Sequence, residues 1–292
     1  MRIATVKLAG EETAAIAIGE HFVSVGHINA HFGTAFRTNL LELMKYGQLE
    51  QLNAWCNANT NSLVESCATI GLSREDVILA PLYRHPGKIW GIGLNYQEHA
   101  ADLGEQAPRS DPASFMKPDT TIIGIGEPIC IPVQSQRTTA EAELAVIIGK
   151  RCKNVSQDTA EDFIAGYTTV IDVTAEDILR QNPRYLTRAK SFDTFFSFGS
   201  ILVTPEEIDS TSELEVSTVI NEVVHRKNTV SNMTFSPRHL VSFHSHVMTL
   251  LPGDVISTGT PGAAAIKGGD RVSCLITGFE PLHNPVIDLK NT

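Results

Sequence analysis

Two runs, EAELAVIIGK at residues 141–150 and GYTTVIDVTAED at residues 166–177, carry the reading of the chain. In a β-strand, residues two apart point to the same face. Glu141 and Glu143 therefore present their carboxylates side by side, ahead of an apolar run. Asp172 stands where the β-branched residues of the second run give way to a helix start. Adjacent carboxylates repel, and a core strand tolerates them only with a cation between them, because unpaired buried charge is costly. Three convergent carboxylates offer oxygen ligands alone, which suits Mg²⁺ or Mn²⁺ better than Zn²⁺. Half of an octahedron then stays open to water and substrate. A competing reading places Glu141 and Glu143 on a solvated strand face, paired with lysines or arginines, since E-x-E is short and common. Against it, LAVIIG reads as a buried strand, and buried strands seldom begin with two acids on one face.

At 292 residues the chain holds one large domain, or a small one and a larger one. Its formal charge of −10, with no lysine- or arginine-rich run, argues against a nucleic-acid surface and for a small-molecule partner. No apolar stretch approaches the roughly 20 residues that span a bilayer. Met1-Arg2-Ile3 opens into a strand-like pattern instead of a signal peptide, so the expected location is the cytoplasm. The five cysteines are odd in number and lack CxxC spacing, and they read as reduced packing residues.

Residues 1–80 alternate short strands (RIATVKL, TAAIAIG, HFVSVG) with helical stretches, among them the amphipathic LLELMKYGQLEQLNAWCNA. This is the pattern of a small N-terminal α/β domain. Prolines and glycines between Leu79 and Gly87 mark a boundary, with a second domain over 85–292. There KIWGIGLNY reads as a strand and QEHAADLG as a helical turn that sets His99 and Asp102 three residues apart. A carboxylate beside an imidazole raises its basicity, as a general base for water requires, although such pairs are also common surface contacts. Lys117 stands between a strand and Pro118, where a surface role is equally open. SQDTAEDFIAG reads as a helix, and Thr174 with Asp177 as a capping box. Lys190 lies at the mouth of another apolar stretch, and beyond residue 201 the pattern is mostly β. Gly259 and Thr260 lie in the turn TGTPG, which either offers backbone N–H groups to an anion or is a plain hairpin turn. His244 and His246 read as structural. The whole is α+β with a β-rich second half.

The runs GLNYQEHAADLG, FMKP, EAELAVIIGK, GYTTVIDVTAED, AKSFDTF, LLPGDVISTGTPG and PLHNPV follow one another between Lys88 and Val286. In that order and spacing they resemble the fumarylacetoacetate hydrolase family. The resemblance implies a mixed β-sandwich or β-roll catalytic domain, a homodimer, and an N-terminal unit like the extra domain of many bacterial members. It implies that Glu141, Glu143 and Asp172 are the metal carboxylates and that His99 activates water. It implies further that Lys190 stabilises enolate charge, and that Lys117, Gly259 and Thr260 face the substrate. Asp102 occupies a position where the family has glutamate, so the water-activating pair is shorter in reach. INEVV in place of the usual N-G-E hairpin and the segment GAAAIKGGD are further departures. The implied activity is divalent-metal-dependent hydrolysis of a C–C bond in a 2,4-dioxo acid of the acylpyruvate or fumarylpyruvate type, through a pyruvate enolate. The same centre serves an oxaloacetate decarboxylase or an enol–keto tautomerase, and a non-catalytic metal-binding protein is the reading from another class.

Overall fold

The computed structural model describes residues 1–96, 108 and 110–291. Strand Thr138–Ile148 and strand Ile164–Ala175 form its longest antiparallel pair, and every residue of both is buried. Burial on two faces explains why each reads as a near-continuous apolar run. One face of the first strand, Ala140, Ala142, Leu144, Val146 and Ile148, enters a core closed by the strands Glu215–Ile220, Arg271–Ile276 and Leu282–Asp288. The opposite face carries Glu141 and Glu143 at one end, then Ala145 and Ile147, which pack with Ile3, Leu43, Leu52, Phe196 and Phe198 in a second core. A single strand face is thus charged at one end and apolar at the other.

Among the described residues, the two strands sit in a fourteen-stranded sheet, with a five-stranded sheet packed against it. The large sheet runs from the N-terminal strands through Ile201–Val203, Ile164–Ala175, Thr138–Ile148 and Val255–Ser257 to Ile89–Gly93 and Ala113–Lys117. Strand Arg2–Leu8 pairs with Ile201–Val203, so residues 1–80 share both sheet and core with the rest of the chain. Arg84 ties them further, reaching Glu12 and Glu127 at 2.9 Å.

Four local readings of the sequence are corrected. LLELMKYGQLEQLNAWCNA is two helices, Leu40–Lys45 and Gln48–Ala58, broken at Gly47 with φ +67°. SQDTAEDFIAG yields one 3₁₀ turn, Ala160–Phe163, before the strand begins at Ile164. Pro237–Val247, within the supposedly β-rich half, is a helix capped by the Ser236 hydroxyl on the His239 N–H. The helix Glu176–Gln181 has no side-chain cap; Thr174 lies within the preceding strand, and Asp177 accepts from the Ser135 hydroxyl and the Gln136 N–H.

Candidate active site

The register of the long pair places Glu141 directly opposite Asp172. Glu143 follows two residues along on the same face, as Thr174 follows Asp172. One oxygen from each of Glu141, Glu143 and Asp172 can be chosen so that all lie within 4.8 Å of one another. Asp172 and Glu143 are 1 % exposed, a degree of burial at which acidic side chains are rare without partners.

Those partners come from two directions. Lys117, at the end of strand Ala113–Lys117, donates to Asp172 Oδ1 at 2.6 Å and to the Val173 carbonyl at 3.2 Å. Lys190, last residue of the helix Leu186–Lys190, donates to Asp172 Oδ2 at 2.5 Å, Glu141 Oε2 at 3.1 Å and the Thr174 hydroxyl at 2.7 Å. Its ammonium also lies 4.5 Å from the centre of the Phe115 ring, within cation–π range. The Thr174 hydroxyl in turn donates a hydrogen bond to Glu141 Oε1 at 2.9 Å. Glu143 takes neutral donors instead: the Ser257 hydroxyl at 2.5 Å and the Gly259 N–H at 2.9 Å, both on Oε2.

The electrostatics divide accordingly. Burial opposes the Asp172 charge, but Lys117 and Lys190 outweigh it and hold the carboxyl below its ordinary value. Burial likewise opposes the Lys190 ammonium, and Asp172 and Glu141 more than offset it, so this lysine stays charged. Lys117 falls to about 8, because burial exceeds the help from Asp172 and Lys190 repels it. Glu143 is pushed up to about 8 by burial and by the charges of Asp172 and Glu141.

This donor set fits a hard divalent cation. The ligands are carboxylate oxygens only, they are buried, and their mutual repulsion is what a cation between them removes. Fully ionised, three carboxylates against two ammonium groups leave one negative charge; a divalent cation turns this into one positive charge, a state that attracts a carboxylate or enolate.

Gly259 and Thr260 lie where the turn closes on Glu143. Gly259 has φ +97°, and a Cβ there would stand 2.8 Å from Asn95 Cβ. Asn95 fixes the turn by donating to the Thr258 carbonyl at 2.7 Å. The Gly259 N–H is directed to Glu143, and the buried Thr260 hydroxyl accepts the Gly262 N–H at 3.2 Å. His99 and Asp102 lie outside the described residues. Thr174, which the sequence pattern marks as a helix cap, and Ser257, which no pattern marks, each orient a carboxylate. A separate cavity of about 530 Å³, between Glu50, Lys150 and Glu206, is lined by none of these groups.

The chain thus combines a β-rich α+β fold with a buried centre of three carboxylates and two lysines. The chain belongs to the fumarylacetoacetate hydrolase family: residues 88–287 match the model of the fumarylacetoacetate hydrolase C-terminal domain. Members of that family include hydrolases, isomerases and tautomerases. An uncharacterized protein of Archaeoglobus fulgidus is 44% identical over 205 residues, covering 70% of this chain and 80% of the relative. The mitochondrial oxaloacetate tautomerase fahd2 of Xenopus laevis is 35% identical over 225 residues, 74% of this chain and 70% of that protein. The crystal structure of 5-carboxymethyl-2-hydroxymuconate delta-isomerase from Mycobacterium smegmatis superposes with a TM-score of 0.76 at 31% identity, over 99% of each chain. That solved structure therefore has a counterpart of residues 1–87 as well. No helix among the described residues is long and apolar enough to cross a membrane.

Proposed function

We propose that the protein is a divalent-metal-dependent enzyme acting on 2-oxo carboxylic acids through an enolate, and that its first activity is keto–enol isomerisation of an oxaloacetate-like substrate. The observation that carries this is the shared position of Lys190, whose ammonium touches Asp172, Glu141 and Thr174 at once. Glu141, Glu143 and Asp172 would hold a Mg²⁺ or Mn²⁺ ion, which would supply Lewis acidity at the oxo-acid end of the substrate. Lys190 places a permanent positive charge beside that centre and opposes the negative charge that develops on the keto oxygen as C3 loses its proton. Lys117 holds Asp172 from the other side, so the carboxylate keeps its orientation during turnover. His99, outside the described residues, is assigned the proton transfer at C3. Isomerisation needs only this movement of a proton from C3 to oxygen. The relative at 35% identity is a tautomerase and the solved structure at 31% identity is an isomerase, which supports that outcome first.

C–C hydrolysis of a 2,4-dioxo acid of the acylpyruvate type is the second reading, favoured by the GLNYQEHAADLG run with His99 and Asp102. Water would attack the distal carbonyl, and pyruvate would leave as its enolate. Oxaloacetate decarboxylation would give the same enolate without water.

The test follows enol-oxaloacetate decay by ultraviolet absorbance and pyruvate release from acetylpyruvate, each with Mg²⁺ or Mn²⁺, with EDTA, and with Glu143→Ala. Metal-dependent decay without pyruvate release supports the isomerase. Pyruvate from acetylpyruvate moves the assignment to the hydrolase, and pyruvate from oxaloacetate to the decarboxylase. A cation that raises the melting temperature while all substrates persist sinks the enzymatic reading. A homodimer is part of the proposal, and light scattering should then give about twice the chain mass of 31.7 kDa.

A further inference from the structure

Next to the Glu141–Asp172 pair, Thr139 stands opposite Thr174, and strand Ala264–Ile266 sets Ala265 on the other flank of Thr139. Residues two apart along a strand and partners across strands share one face, so these three side chains stand on the face that carries the carboxylates. Thr174 is fully engaged there, accepting from Lys190 at 2.7 Å and donating to Glu141 at 2.9 Å. Ala265 is exposed and offers only a methyl group, so solvent borders this face beside Thr139. Thr139 itself is 2 % exposed, and its hydroxyl has no hydrogen-bond partner among the described residues. Other buried threonines are satisfied: Thr138 donates to the Ser135 hydroxyl at 2.9 Å, Thr168 to the Ile201 carbonyl at 2.8 Å and Thr258 to the Leu144 carbonyl at 2.8 Å. An unpaired hydroxyl in the interior is costly. Valine has the same shape without that cost, and Val170, on the same face of the partner strand, shows that the pair accepts it.

We infer that Thr139 is a substrate-binding residue whose hydroxyl donates to a carboxylate oxygen of the bound 2-oxo acid. The inference rests on the oxo-acid reading above and adds to it a neutral donor beside the charged ones. Two strand residues separate Thr139 from Glu141, a step of roughly 7 Å that is comparable to the length of a short oxo acid. A hydroxyl that donates to a carboxylate makes a charge-assisted hydrogen bond, and burial strengthens it because little water competes. Thr139 has no part in the proton transfer. Its neighbour Ala265 belongs to GAAAIKGGD, a segment where the sequence departs from the family pattern.

The experiment measures binding of 2-oxobutanoate, with one carboxylate, and 2-oxoglutarate, with two, to the Mn²⁺-loaded protein by calorimetry. Wild type, Thr139→Val and Thr139→Ser are compared, and Mn²⁺ affinity and the melting temperature of the metal-free protein are taken on each. Thr139→Val should weaken at least one acid by about tenfold or more, as loss of a hydrogen bond to a charged group does. Its Mn²⁺ affinity should stay at the wild-type value and its melting temperature should hold or rise, because the removed hydroxyl has no partner in the fold. Thr139→Ser should keep most of the acid affinity. Weakening of 2-oxobutanoate, alone or with the diacid, assigns the bond to the carboxylate beside the oxo group; weakening of 2-oxoglutarate alone assigns it to the distal one. Unchanged affinity for both acids in Thr139→Val overturns the inference and leaves the oxo-acid reading standing. A parallel loss of Mn²⁺ affinity overturns it by making Thr139 a support for Glu141. A lower melting temperature in Thr139→Val, or a Thr139→Ser as weak as Thr139→Val, overturns it by making Thr139 a packing residue. A wild type that binds neither acid overturns both readings.

Discussion

Asp172 and Glu143 belong to one centre and are equally buried, yet they are held in opposite ways. Asp172 lies between two ammonium groups and stays ionised without a metal. Glu143 receives a hydroxyl and a backbone N–H, and repulsion from its neighbours pushes it up to about 8. The difference teaches that the charges of the centre have separate tasks. The Asp172 side is a permanent ion cluster that belongs to the fold, and the Glu143 side is a charge completed when the cation arrives.

Replacing each acid by its amide tests that division most strongly. Asp172→Asn leaves Lys117 and Lys190 buried without their anion, and the unfolding free energy should fall by roughly 3–5 kcal/mol. Urea titration of the metal-free protein checks this, and an unchanged midpoint would break the comparison. Glu143→Gln keeps an oxygen for Ser257 and Gly259, so stability should stay within about 1 kcal/mol of wild type. Its Mn²⁺ affinity should nevertheless drop by about 100-fold or more, since an amide oxygen carries no charge. Calorimetry on both amide variants separates the two effects.

The third prediction concerns pH. A carboxyl raised to about 8 is protonated at neutral pH, and its proton competes with the cation. Mn²⁺ affinity should therefore fall about tenfold per unit as pH drops below about 8. Asp172, held below its ordinary value, adds no slope there. Glu143→Gln should flatten the dependence, and a slope that survives in this variant would assign the released proton elsewhere. The smallest effect is expected of Ser257→Ala, which removes one of two donors to Glu143. Its metal-affinity limb should move to higher pH by less than about one unit, with a stability loss of about 1 kcal/mol.

Much of the centre was legible because its acids contradict their surroundings. Glu141, Glu143 and Asp172 interrupt runs of aliphatic and β-branched residues, and strand alternation alone brings the glutamates to one face. Lys117 and Lys190 acquired roles only through the family resemblance, since each reaches Asp172 from a distant segment that no local pattern encodes. Thr174 was misread as a cap because a strand end and a helix start share the same threonine chemistry; only the register shows its hydroxyl facing Glu141. Ser257 gave no signal, being an ordinary small residue of a short strand. The helix Pro237–Val247 escaped for a related reason. Its buried face is Leu240, Val241, His244 and Ser245, too polar to read as an apolar stripe. Gly47, inside a leucine-rich run, broke a helix that periodicity alone extends.

The register of Glu141 against Asp172 also bears on the order of assembly. The three carboxylates are gathered by the closing of one antiparallel hairpin, whose facing residues are about thirty positions apart in the chain. The lysines arrive from outside it, Lys117 ahead of the hairpin and Lys190 after it. Contacts close in sequence cost less chain entropy to form than distant ones. Lys190 is only 18 residues from Asp172, nearer in sequence than Glu141 is, whereas Lys117 is 55 away. By this measure Lys190 joins the centre as cheaply as the hairpin closes, and Lys117 is the counter-charge whose arrival costs most.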